Sequence, residues 1–283
     1  MTVRAAEEAP VGLGPHRPQA LLFSFLGSLV LDRDLPALPA AVFLRVLGGL
    51  GVTEAAARAT LSRMTRKGLL VRLQTGRTAH FTLSAAAEEL LRQGSRRVSA
   101  LEPFGHPEGQ WTLLSYSMPE SRRDLRHQVR AALTWAGFGG LRDGLWIAPG
   151  TVDVAAVLSG AHLAEVAGLA DCFSAAPSPG TDVGAFIRRA WPVDRLRERH
   201  EAFIEAWSEA SEEGDPMVRR TLLGADWLQV LRADPGLPAE HLSPDWPAAR
   251  SAAVYRRAVA RIEPAAMHEL DGELCPPGSW QAG

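Results

Sequence analysis

Between Thr53 and Lys67 the chain sets long cations among very small side chains: Ala55, Arg58, Ala59, Ser62, Arg63 and Arg66. On one side of a helix, that mixture suits duplex nucleic acid. Small positions let a helix backbone near base edges, while arginines reach phosphate oxygens or make forked bonds to O6 and N7 of guanine. Ala57, Leu61 and Met64, with Thr60 beside them, recur at helical spacing and should face a core. Shortly afterwards Thr75-Gly76-Arg77 places a glycine and a cation between two β-leaning runs, Leu69–Gln74 and Thr78–Leu83, with Arg72 and His80 flanking. A cation at such a hairpin tip can lie along a neighbouring groove or phosphate. The ordinary reading of a basic run alone is a solvated helix face. What favours a polyanion is the coincidence of patch, helix and hairpin.

A second constellation lies in the C-terminal third. Trp191, Trp207, Trp227 and Trp246 fall at helical positions near the arginine pairs Arg188-Arg189, Arg219-Arg220 and Arg256-Arg257. Tryptophans so placed usually contribute to a core, because each buries a large area. Arginine beside open aromatic surface instead suits a nucleotide-bearing anion, with stacking on the base and forked bonds to phosphate. Both readings stand on the residues alone.

Chemistry of other kinds is poorly served. His200-Glu201 has Ile204 where a zincin helix needs a second histidine, and neither a GxSxG elbow nor a Walker loop occurs. Gly137-Phe138-Gly139-Gly140 follows a helix and precedes a strand, the reverse of the order that aims helix N–H groups at phosphate. Cys172 and Cys275 form neither a CxxC pair nor a zinc framework, and neither adjoins a histidine. The expectation is a protein that is not an enzyme, with no catalytic residues, no metal and no cofactor.

The elements that must position the first constellation are readable. Ala20–Leu31 predicts a helix, Ala40–Leu50 a second ended by Gly51, and Glu54–Lys67 a third with Thr53 as hydroxyl N-cap and Gly68 at its end. With the hairpin, this is the winged-helix order. Ser84–Val98 reads as a linking helix, and Pro103–Gly109 as a boundary. Beyond it come a strand at Trp111–Ser117, a helix at Ser121–Trp135, a strand at Leu145–Ala148, helical Leu163–Leu169 and strand-like Cys172–Ala175, which fits a ferredoxin-like α+β domain. From Gly184 the pattern is helical, with Asp194, Asp215-Pro216 and Asp245-Trp246-Pro247 as starts and Asp234-Pro235 as a stop. Leu196, His200, Phe203 and Trp207 form one stripe.

Composition agrees with a folded, modular chain. The 283 residues suit two or three domains, and 46% apolar with 22% charged residues is ordinary for globular proteins. The longest apolar run, Ala20–Leu31, is twelve residues, short of the roughly 20 that span a membrane. Glu7, Glu8 and Asp32-Arg33-Asp34 do not fit the flanks of a signal peptide, so a cytoplasmic location is expected. The net charge of −2 hides an asymmetry: residues 1–100 hold thirteen Lys/Arg to seven Asp/Glu, the rest seventeen to twenty-five. Between Arg45 and His80 the ratio is seven to one.

With these residues in place, the chain resembles the PaaX-like family of transcriptional repressors, regulators of phenylacetate catabolism in bacteria. The carriers are Ala57-Arg58-Ala59-Thr60-Leu61-Ser62-Arg63-Met64, Gly76-Arg77, Gly144-Leu145-Trp146-Ile147-Ala148-Pro149, and Arg232 through Trp246 with its DPxLP and Pro-Asp-Trp strings. The resemblance implies an N-terminal winged helix-turn-helix, a central ferredoxin-like domain similar to a CRISPR-associated nuclease subunit, and a C-terminal helical domain. The boundaries expected are a flexible start at 1–16, then 17–83, a linking helix at 84–102, 103–180 and 181–275. It further implies a homodimer on a palindromic operator in double-stranded DNA, released by an aryl-acyl-CoA thioester such as phenylacetyl-CoA.

The DNA-contacting residues expected are Thr53, Ala55, Arg58, Ala59, Ser62, Arg63, Arg66, Arg72, Gly76 and Arg77; those nominated for the effector are Arg188, Arg189, Trp191, Trp227 and Arg232. A metal-dependent nuclease of the central domain is the rival reading. Against it, Tyr116-Ser117 stands where the nuclease-like subunits place a metal-holding carboxylate. In the other departure, Trp227-Leu228 stands where the family tends to have a tyrosine-arginine pair before DPxLP.

Overall fold

A computed structural model describes residues 13–105, 109–118, 122–158, 166, 168–209 and 213–274. By internal contact the chain divides into two compact units. One contains Leu13–Leu101, Ala202–Gln229 and the stretch from Arg250; the other contains Glu102–Glu201 and Val230–Ala249. The chain is α+β, with two antiparallel sheets.

In the first unit, α1 (Pro18–Leu29), α2 (Ala40–Gly49) and α3 (Glu54–Arg66) precede a hairpin of β2 (Leu70–Thr75) and β3 (Thr78–Leu83). Pro18 opens α1 at a position where its missing N–H is no loss. The two-residue connection between the strands has Gly76 at φ 59°, a left-handed conformation that glycine adopts at no steric cost. A strand absent from the sequence expectations, β1 (Leu38–Pro39), pairs with Phe81 and His80 of β3 and makes the sheet three-stranded. Two residues carry no periodicity, so only the distant partner reveals them. α4 (Ala85–Val98) follows, capped by the Ser84 hydroxyl, which accepts from the Ala87 amide.

Phe25, Phe43 and Phe81 meet edge to face at the centre of this unit's core, with Leu22, Leu26, Leu47, Leu61 and Met64 around them. Met217, Ala225, Ala266 and Leu270 from the C-terminal part of the chain belong to the same core. Arg45 is ion-paired with Asp215, Glu269 and Glu273, and Ser24 donates to the Thr221 carbonyl at 2.7 Å. His16, expected in a flexible start, is instead held 2.6 Å from the buried carboxylate of Asp226, and Gln229 donates to the Gly14 carbonyl at 2.9 Å. Residues 1–12 of that start, and Cys275, lie outside the described residues.

The second unit carries the other sheet: β4 (Trp111–Tyr116), β5 (Gly139–Arg142), β6 (Leu145–Pro149) and β7 (Ala170–Ala175), in the order β5-β6-β4-β7. The helix α5 (Arg123–Trp135) buries Val129 and Leu133 in a core with Leu114, Phe138 and Trp146. Its expected first residue, Ser121, lies outside the described residues, as does most of Leu163–Leu169. α6 (Val154–Val157) is a short turn capped by Asp153. Gly139 and Gly140 form the edge strand β5, and at Gly139 only a glycine fits. The cause is close packing: a Cβ on Gly139 would lie 2.6 Å from the Trp191 ring and 2.8 Å from the Ala190 carbonyl oxygen.

The remaining helices are α7 (Val183–Ala190), α8 (Val193–Ser208), α9 (Pro216–Ala233) and α10 (Ala248–Leu274). Asp215 accepts from the Val218 amide as the expected start of α9. Asp194 lies inside the first turn of α8, not ahead of it. Leu196, His200, Phe203 and Trp207 are all buried, as their stripe requires.

Candidate nucleic-acid interface

α3 is positioned by its buried side. Ala57, Thr60, Leu61 and Met64 are buried, so Ala55, Arg58, Ala59, Ser62, Arg63 and Arg66 are turned outward and all are exposed. The Thr53 hydroxyl accepts from the Ala56 amide at 3.3 Å, which fixes the start of the helix. Arg63 donates to the Thr60 hydroxyl at 2.7 Å and so is held against its own helix. In the hairpin, Arg72 pairs with Phe81 and shares the sheet face of the buried Leu70 and Leu83, with its own side chain exposed. Gly76 and Arg77 are exposed at the tip.

The basic surplus is smaller than the residue count implied. Arg45 is neutralised by its three carboxylates, and Arg58 is ion-paired with Glu54 one turn before it at 2.7 Å. Partners more than 160 positions away in sequence could not be foreseen for Arg45. Arg63, Arg66, Arg72 and Arg77 have no ion pair among the described residues, so the uncompensated charge lies on the outward face of α3 and on the hairpin.

Two of the effector nominees are buried. Trp227 is 1% exposed and stacks on Tyr255 at 4.7 Å, with Phe203 on its other contact at 5.2 Å. Trp191 is buried too, its indole donating to the Gly137 carbonyl at 3.2 Å. Neither ring is an open platform; the core reading of these tryptophans prevails because large flat rings are the cheapest way to fill space between helices. Arg188, Arg189 and Arg232 are exposed. The aromatic-and-guanidinium arrangement occurs instead at Trp135, which is 72% exposed with the Arg232 guanidinium 5.4 Å from its ring centre. Partial desolvation there lowers the Arg232 pKa. Only the fold joins these two, 97 positions apart, so no local signal marks Trp135.

The DPxLP segment is a piece of architecture. One Asp234 oxygen accepts from the Gly236 amide at 2.7 Å, and the other lies 2.8 Å from His200 Nε2. Phe104 and Trp246 pack edge-on against that imidazole. Tyr116, at the end of β4, is buried, and among the described residues no three His, Cys, Asp or Glu side chains are grouped to hold a metal ion. Cys172 is exposed on β7, its thiol pKa raised by desolvation. No described helix is long and apolar enough to cross a membrane.

A helical unit with an outward basic helix and hairpin, joined in one chain to a four-stranded antiparallel sheet unit, has counterparts among known proteins. Three family models match in succession: PaaX-like protein over residues 17–87, PaaX protein central Cas2-like domain over 105–184, and PaaX-like protein C-terminal domain over 191–271. The chain belongs to the PaaX-like family. The transcriptional repressor PaaX of Escherichia coli strain K12 is 28% identical over 257 residues, which cover 83% of this chain and 79% of that one. Among solved structures, the protein Rv0674 from Mycobacterium tuberculosis matches in fold with a TM-score of 0.60 at 22% identity, covering 93% of this chain and all of the other.

Proposed function

We propose that this chain is a sequence-specific DNA-binding transcriptional repressor of a catabolic operon, acting in the cytoplasm as a homodimer on a palindromic operator. The observation that carries the reading is the outward face of α3, where uncompensated Arg63 and Arg66 stand among Ala55, Ala59 and Ser62, with Gly76 and Arg77 on the hairpin of the same unit. Helices followed by a β-hairpin support a winged helix-turn-helix, whose recognition helix enters the major groove. The strand order β5-β6-β4-β7 around α5 supports a ferredoxin-like central domain. The repressor name of the E. coli relative supports regulation rather than catalysis.

The test is a salt titration of binding to duplex DNA from upstream of the chain's own gene. Arg66→Ala should weaken binding to all sequences and lower the slope of log affinity against log salt by about 0.9, one phosphate contact. An unchanged slope refutes that contact, and salt-insensitive wild-type binding refutes the reading.

Release by an aryl-acyl-CoA thioester such as phenylacetyl-CoA belongs to the same proposal. A ligand can release DNA only by binding the non-DNA state more tightly, so operator must weaken the effector by the same factor that effector weakens operator. Calorimetry of phenylacetyl-CoA with and without operator measures this, and equal affinities would reject it. Arg188, Arg189 and Arg232 remain the cationic nominees, with exposed Trp135 replacing the buried Trp191 and Trp227 as the stacking surface.

A further inference from the structure

α5 of the sheet unit carries a second basic face. Residues 101–283 are acidic on balance, yet Arg122, Arg123, Arg126, His127 and Arg130 stand together with Asp124 as the sole carboxylate of the segment. Val129 and Leu133 point into the core, so Arg123, His127, Arg130 and Thr134, at intervals of four, three and four, share an outward stripe, and all four are exposed. Asp124 lies about 100° around the helix from Arg123, off the stripe.

Like charges one turn apart on an exposed helix destabilise it, so an ordinary solvated face intersperses carboxylates. Some arginines elsewhere do have acidic partners. Arg33, Arg92 and Arg197 are each paired with acidic side chains. Arg123 and Arg130 have no ion pair among the described residues. What holds Arg130 is aromatic: its guanidinium lies 5.9 Å from the centre of the buried Trp146 ring. Neutral partners orient a cation without cancelling its charge. The same signature, exposed guanidiniums without carboxylates, marks Arg63 and Arg66 on the outward face of α3, among the described residues.

We infer that the stripe Arg123, His127 and Arg130 is a second contact surface for the phosphate backbone of duplex DNA, one that adds affinity but no sequence preference. The inference rests on the DNA-binding reading. From Arg123 to Arg130 is about 10 Å of helix at 1.5 Å per residue, the axial length of about three phosphates on one strand. Phosphate contacts of this kind position a protein without reading bases.

The experiment compares the full chain with Arg123→Gln/Arg130→Gln, Arg123→Lys/Arg130→Lys and Arg63→Gln/Arg66→Gln on the upstream duplex between about 50 and 200 mM salt. Loss of two contacts should lower the salt slope by about 1.8, making the affinity lost across that range about tenfold smaller. The lysine pair should keep the slope, and the glutamine pair should keep the ratio of operator to scrambled-duplex affinity. A glutamine pair with the wild-type slope, while Arg63→Gln/Arg66→Gln lowers it, overturns this inference and leaves the preceding reading intact. Absence of salt-sensitive binding by the wild type overturns both. Tighter binding of duplex RNA of the same length, lost in the glutamine pair, overturns it in favour of an RNA surface.

Discussion

His200 Nε2 and a carboxylate oxygen of Asp234 lie 2.8 Å apart with both side chains almost wholly buried. The other Asp234 oxygen caps the Gly236 amide, so one carboxylate satisfies an imidazole and the turn after α9 together. Asp234→Ala removes the carboxylate contact of the buried imidazole and the acceptor of the buried Gly236 amide together, at about 3 kcal/mol or more. Asp234→Asn keeps an oxygen for the Gly236 amide and should cost about half as much. Urea unfolding of the full chain measures both; an alanine variant within about 1 kcal/mol of wild type would remove the structural role.

Gly144 and Gly76 both have positive φ, at 72° and 59°, but in different surroundings. A Cβ on Gly144 would run into the Tyr116 carbonyl oxygen, whereas Gly76 faces open space. Gly76→Ala should therefore cost about 1 kcal/mol, the left-handed penalty alone. Gly144→Ala should cost about 3 kcal/mol or more, because backbone of β4 must also shift. Thermal unfolding that ranks the two the other way would contradict the turn geometry.

Arg45 faces Asp215, Glu269 and Glu273, all partly exposed. Removing it leaves three carboxylates facing one another, yet solvent screens them, so Arg45→Ala should cost only about 1–2 kcal/mol. That cost should shrink at high salt. A salt-independent loss would point to packing of the arginine stem instead.

Desolvation raises the Cys172 pKa. Its thiolate is the reactive form, so alkylation by iodoacetamide in a Cys275→Ser background should be slower at neutral pH than for a free thiol. The rate should climb with a midpoint above the ordinary value near 8.5. A midpoint below it would make Cys172 an activated thiol.

α3 was legible because its evidence is local: Thr53 caps, Ala57, Leu61 and Met64 repeat at helical spacing, and Gly68 ends the helix. The hairpin was legible for the same reason, through Gly76. What escaped is what distant partners decide. Leu38–Pro39 becomes a strand only against β3, and Gly139–Arg142 becomes one where Trp191 closes over a missing side chain. The charge of Arg45 vanished into carboxylates from the far end of the chain. Trp191 and Trp227 could have been platform or core from spacing alone; Tyr255 and Gly137 settle them as core.

Met217, Ala225, Ala266 and Leu270 close the same core as Phe25, Phe43 and Leu61. A head cut out at residue 83 would therefore carry a raw apolar wound where those four side chains had been. Transplanting these helices and their hairpin into a foreign chain would require two segments from beyond residue 200 along with them.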